Sequence, residues 1–435
     1  MAFTTHPAER RLEATSFENP VDGPTHALLA RSLTDVPGQR LGWAVGLASL
    51  VLALSAGAFA GGIATGLRLF RFPGDVAMRL QLDHGVIMTC FAVLPALLST
   101  FGAARLPRQL RGPGLAAPAV AAGGVAAMAI GFLCLAVMPA RTDIAVILWS
   151  VGVTLQAAST LATVANMRSP DLRLSDVSPF VWAQVAAHGL VAMLAPMLAA
   201  GMTRALLRGA DPALVVRAFE APLNAVALIA ACGIVSLVVA DARRPARSET
   251  RGTGVAFAVM AAGVVVWMHG ALRGHALSGV WLEEIFLMPA GVALAGLWIA
   301  GLWRAHVAPR PALFWAAAFI AVLLGGAAAS VRAPAAGLHS VAELGAVLAA
   351  FAGLYRWLER RCGEAVPRMM TAVHLVFTVG AILAMLVPSA VVPSALAGGL
   401  AGVSLVALAV VLGVSLARAR PFVDAAAPLA ARSRA

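Results

Sequence analysis

The feature that most constrains this chain is a succession of apolar stretches, each about as long as a bilayer is thick and each separated from the next by only a few polar residues. About 20 mostly apolar residues span the ~30 Å hydrocarbon core, and only a helix satisfies its own backbone there. Read this way, the sequence predicts twelve spans at 41–64, 79–103, 115–139, 143–165, 178–203, 219–240, 252–273, 281–303, 311–330, 337–358, 368–388 and 392–416. The connections leave no room for a separate soluble domain. The predicted organisation is therefore a polar tail over 1–40, a twelve-helix membrane domain over 41–416 and a short tail over 417–435. The N-terminal tail lacks the apolar core of a secretory signal, so the first span is read as an uncleaved start of insertion. A mean hydropathy of +0.87 with 12% charged residues excludes an ordinary soluble globule.

The chain has no Lys, and its net charge of +12 comes wholly from Arg. In a soluble protein that balance would point to nucleic acid; here it follows topology, and no nucleic-acid partner is expected. Of the 32 Arg, 23 lie in the tails and the even-numbered loops. The positive-inside rule then places both termini in the cytoplasm, so the expected location is a bacterial cytoplasmic (inner) membrane. Arg243, Arg244, Arg247 and Arg251 form the densest cluster and read as a topological anchor. Cys90, Cys134, Cys232 and Cys362 are scattered, with no redox or metal-ligand spacing.

With that orientation, His84 near the start of the second span and His339 near the start of the tenth lie in the outer third of the bilayer at similar depth. Intramembrane ionisable residues are functional candidates, because burying one without a partner costs several kcal/mol. Two imidazoles at matched depth suit the axial positions of a haem standing edge-on. The alternative for each is a histidine satisfied by hydrogen bonds within the bundle.

The wording around these histidines is more specific. The stretch from His84 to Pro107, HGVIMTCFAVLPALLSTFGAARLP, resembles the second-helix signature of the haem-copper oxidase (cytochrome c/quinol oxidase) subunit I family: His-Gly/Ala-x-x-Met followed by Pro and Phe-Gly. TVANMRSPDLRLSDVSPFVWAQ (163–184) is similar to that family's Asn-Met-Arg-x-Pro loop and fifth-helix start. LAPMLAAGMT, VVWMHG, LMPAGVALAGLW and GAVLAAFAGLYRW follow in family order. The resemblance covers all twelve spans. It implies an all-α membrane fold, a subunit I-like bundle of twelve transmembrane helices, in which His84 and His339 are the axial ligands of one low-spin haem iron.

Carried over residue by residue, the resemblance also implies losses. The tenth-helix Ala-His-Phe-His falls on Ala336, Gly337, Leu338 and His339, so the high-spin haem ligand is replaced by Gly. The sixth-helix His-Pro-Glu-Val-Tyr falls on Ala221, Pro222, Leu223, Asn224 and Ala225. The paired copper histidines of the seventh helix fall on His269 and Gly270, leaving His269 as a remnant of three copper ligands. The two proton routes fall on Pro113-Gly114 and on Pro289-Ala290-Gly291-Val292-Ala293, without ionisable groups. The arginine pair near the low-spin propionates falls on Ser394 and Ala395, which leaves Arg68, Arg71 or Arg332 as candidates for that charge.

Arg68 and Glu343 are thus placed in the haem vicinity, Glu343 one turn in from His339; the structural alternative for Glu343 is a protonated acid satisfied by packing. Asp83 is either a contact that tunes His84 or an interfacial residue. Glu283 and Glu284 read as acids on a solvated helix N-terminus, and His188 and His374 as structural. A single His cannot hold a redox copper in place of three, so no copper and no oxygen-reducing centre is expected. The expected function is electron transfer through one bis-histidine haem, b or a type, in a respiratory assembly. Its partners would be other membrane subunits, including a cupredoxin-like subunit II or cytochrome c on the outer face. A divergent terminal oxidase, drawing missing ligands from His188, His269 or His275, is the second reading. A cofactor-free transporter is the third, against which stands the lack of paired Gly/Pro-broken segments.

Overall fold

In the computed structural model the described residues are 37–138, 141–243, 247–274, 281–305, 307–332, 338–362, 366–386 and 394–418. The tails assigned to 1–40 and 417–435 fall almost wholly outside them. Twelve long helices run through the described residues: α1 Pro37–Leu69, α2 Gly74–Gln109, α3 Pro118–Val137, α4 Thr142–Asn166, α5 Pro179–Arg208, α6 Pro212–Ala242, α7 Arg247–Leu272, α8 Leu282–Ala305, α9 Pro311–Arg332, α10 Leu338–Cys362, α11 Arg368–Leu386 and α12 Ser394–Arg418. Each matches one expected span. Ten are long and apolar enough to cross a bilayer; α10 carries charge at both ends, and the described apolar part of α11 is Arg368–Ala384.

Neighbours in sequence pack as antiparallel pairs, α3 with α4, α4 with α5, α5 with α6, α9 with α10 and α11 with α12. The centre is α6, buried without a break from Pro222 to Val239, flanked by α2 and α10. Helices attract little through hydrophobicity inside lipid, so close approach at small residues does that work. A Cβ on Gly152 would lie 2.5 Å from the Gly124 carbonyl of α3, and one on Gly233 would lie 2.4 Å from Ala183 of α5. On α10, a Cβ at Gly353 would meet the Phe101 ring of α2 at 2.5 Å.

Most helices outrun their expected spans. Helix α2 runs from Gly74 to Gln109 because its polar end stays inside protein: Arg105 is buried, and the Arg108 guanidinium lies 4.8 Å over the Trp43 ring of α1. Its middle is widened into π-helical turns at Ile87–Val93 and Pro95–Thr100. Pro95 has no N–H to give the preceding turn, and a wider turn absorbs that loss. The arginine cluster at 243–251 is partly structural. Arg243 pairs with Glu249 at 2.7 Å and lies where a Cβ on Gly301 would overlap its guanidinium. Arg251 is exposed, whereas Arg244 and the side chain of Arg247 lie outside the described residues.

Candidate functional site

His84 stands in the last regular turn of α2 before the first widened segment, half-buried, with Nδ1 3.0 Å from the Ala60 carbonyl of α1. A carbonyl only accepts, so Nδ1 carries the proton and the imidazole lone pair is on Nε2. Ligating histidines are commonly oriented in this way, by donating their second ring N–H to a carbonyl.

The ring borders a cleft of about 300 Å³ lined by α1, α2, α10, α11 and α12, at the lower end of ligand-sized pockets. Its walls are small and apolar. A Cβ at Gly398 would meet nothing within 4 Å, and one at Gly57 or Gly61 would meet its first neighbour only at 3.8 or 3.7 Å. The few hydroxyls on the wall are already occupied: Thr65 donates to the Gly61 carbonyl at 2.8 Å, Thr378 to the His374 carbonyl at 2.7 Å, and Ser404 bonds Thr378 at 2.5 Å. A slot walled by hydrocarbon, with an imidazole on its border, suits a mostly apolar group.

Of the other expected site residues, His339 and Glu343 lie in the first two turns of α10, and Arg68 near the end of α1. Their side chains, like that of Arg332, are outside the described residues. The same α10 supplies Leu344, Val347, Ala350, Phe351 and Leu354 to the cavity wall. Asp83 is buried and accepts from Thr142 Oγ1 of α4 at 3.1 Å, so this contact ties α2 to α4. Successive residues on a helix diverge by about 100°, which takes Asp83 to a different flank from His84.

His269 is exposed near the end of α7, at the bundle surface. Glu283 is buried, contrary to the solvated position expected for it, while Glu284 is exposed. His188 is buried, with Nδ1 2.8 Å from the Gln184 carbonyl one turn back. His275 is outside the described residues. Among the described residues, no group of three or more His, Cys, Asp or Glu side chains is placed to hold a metal ion.

Two features beside the cavity were not anticipated. Phe351 borders the cavity and packs on Trp315 and His374, with ring centroids 4.8 and 4.6 Å away, and His374 Nδ1 is bonded to Tyr355 Oη at 2.8 Å. Further along α10, Arg356 and Arg360 both pair with Asp241 of α6, Arg360 at 2.7 Å. The sequence shows Tyr355, Arg356 and Arg360 as neighbours, yet only the crossing of α6, α9 and α11 gives them partners.

Residues 40–398 match the family model described as Cytochrome C and Quinol oxidase polypeptide I. The chain belongs to this family. The match runs from α1 into the start of α12 and so includes the α1, α2, α10 and α11 walls of the His84 cavity, but of the α12 wall only Gly398. Among curated relatives, the cytochrome c oxidase subunit 1 of Cereibacter sphaeroides is 26% identical over 356 residues, covering 67% of this chain and 63% of that protein. The chain thus spans a little under two thirds of that relative's length. As in the oxidase polypeptide I family at large, it is a multi-pass helical membrane protein.

Proposed function

We propose that this member of the oxidase polypeptide I family is an electron-transfer subunit that holds one low-spin haem between His84 and His339 and reduces no oxygen. The observation that carries the reading is the His84 ring, oriented by the Ala60 carbonyl and bordering a slot of small apolar residues. When bound, a bis-histidine haem supplies one-electron transfer and offers no open iron face. Ala60 fixes the imidazole tautomer and makes Nε2 a better donor. The residues that α1, α11 and α12 bring to the slot are mostly apolar, and His339, in the first turn of α10, would be the second ligand. Glu343 and Arg68 are assigned to the surroundings of the same group.

The absence of oxygen chemistry is inferred from residue identities: Gly337 where the family's high-spin ligand stands, Ala221 and Gly270 at two copper positions, and His269 exposed at the third. No copper is proposed. We place the protein in a bacterial cytoplasmic membrane with both termini cytoplasmic, in a respiratory assembly with other membrane subunits. Its electron partner would be a cupredoxin-like subunit II or a cytochrome c on the outer face.

The test is haem content in His84→Ala and His339→Ala, each purified as a folded full-length chain. Both are expected to fall to a small fraction of the parent's haem. Unchanged haem in either variant refutes that ligand.

A further inference from the structure

A second and larger cavity, about 770 Å³, lies at the other end of the bundle from His84, where α6 and α10 finish and α9 and α11 begin. Four arginines line it, Arg310, Arg356, Arg360 and Arg368, against two acids, Asp241 and Glu359. Both acids are already engaged. Asp241 pairs with Arg356 and Arg360, and Glu359 Oε1 accepts the Ala312 N–H at 2.8 Å, capping α9. Arg310 and Arg368 are exposed, and the Arg310 charge lies close enough to Glu359 to be partly offset by it, which leaves the cavity with an excess of two positive charges. Arg105 and Arg108 stand close enough behind this group to add to its positive potential. The first turns of α9 and α11 border the cavity as well; the N–H groups of α9 are already taken by Glu359 and the Arg310 carbonyl, so it is the N-terminal dipole of α11 that adds to the attraction for an anion.

The same cavity has an apolar side. Trp315 and Leu375 lie within it, and Phe314 and Val376 at its lining are 52% and 64% exposed, outward-facing on membrane helices. A hydrated inorganic ion has no use for that wall, whereas an amphiphile covers the arginines with its head and the aromatic and aliphatic side chains with its chains. Basic pockets between transmembrane helices at the interface bind anionic headgroups for this reason. We propose that this cavity binds a phosphate-bearing anion through Arg310 and Arg368, and that its source is an anionic phospholipid of the adjoining leaflet. The proposal does not depend on the haem reading.

The experiment uses the full-length protein in mixed phosphatidylcholine and phosphatidylglycerol nanodiscs, released into native mass spectrometry, with inorganic phosphate titrated separately in detergent. Retention of phosphatidylglycerol over phosphatidylcholine is expected, falling roughly tenfold or more in Arg310→Gln/Arg368→Gln, since each basic side chain near a lipid surface contributes about one power of five in affinity. Arg251→Gln/Arg304→Gln, which removes two exposed arginines elsewhere on the same end, is expected to leave the preference intact. Saturable inorganic phosphate binding that is lost in Arg310→Gln/Arg368→Gln, without any lipid preference, keeps the phosphate site but overturns the lipid as its source. Equal loss in both double variants, or no loss in the first, overturns the site.

Discussion

Replacing Asp241 by Asn keeps the side-chain volume and removes one charge, and the structure allows the cost to be worked out. Asp241 is the shared carboxylate of Arg356 and Arg360, whose side chains are 5% and 54% exposed. The two partners therefore respond differently. An exposed pair contributes at most about 1 kcal/mol, because water screens it and takes over its hydrogen bonds. A buried guanidinium that loses its counter-charge costs about 3–5 kcal/mol. Asp241 itself is 23% exposed, which admits some water and places the total near the lower end of that range, about 3 kcal/mol.

An effect of that size shifts an apparent melting temperature in detergent by about 3 °C. The discriminating variant is Asp241→Asn/Arg356→Met. Replacing both members of a buried pair with uncharged groups is close to neutral, so the second substitution should restore most of what the first removes. Arg360→Gln in place of Arg356→Met should restore little. A shift below about 1 °C for Asp241→Asn, or strictly additive losses in the Asn/Met variant, would refute the assignment of Arg356 as a buried charge dependent on Asp241.

Three further outcomes follow from the packing and the cavity. Thr142→Val deprives buried Asp83 of a 3.1 Å donor and should cost about 1–3 kcal/mol in the same melting assay, with haem content per folded chain unchanged. Gly152→Val drives a side chain into the Gly124 carbonyl, so the yield of monodisperse protein by size-exclusion chromatography should drop sharply, whereas Gly398→Ala, with nothing within 4 Å, should behave as the parent. Gly61→Leu fills the slot beside His84 from the α1 side; a correctly folded chain with much reduced haem is expected, and full haem loading in that variant would place the haem elsewhere.

Much of the fold is legible in the sequence because hydrophobic run length is a local signal and the bilayer enforces it. Helix ends are less so. The rule stops at 203 and resumes at 219, yet α5 continues to Arg208 and α6 starts at Pro212, because helices leave the hydrocarbon before they stop. The true ends are written in Gly209 at φ +65°, in the Asp211 carboxylate that accepts the Ala213 N–H at 2.9 Å, and in Pro212 in the first turn. His84 is legible from the phrase it opens. The carbonyl that orients it and the α1, α11 and α12 walls are not, since they depend on which faces of distant helices meet.

Asp83 and Glu283 show the same limit from the other direction. Next to a candidate ligand, Asp83 invites a role at that ligand, and at the start of a helix Glu283 invites a solvated one. The bundle buries both, with Asp83 bonded to α4, and no local pattern carries that information.

The most direct test of the central claim is haem and copper quantification on the purified chain, together with its reduced and reduced-plus-carbon-monoxide absorption spectra. One haem per chain, no stoichiometric copper and a reduced spectrum unmoved by carbon monoxide are the expected results. Two haems with copper, or a spectrum that shifts with carbon monoxide, would contradict the account and return the protein to the oxygen-reducing members of its family.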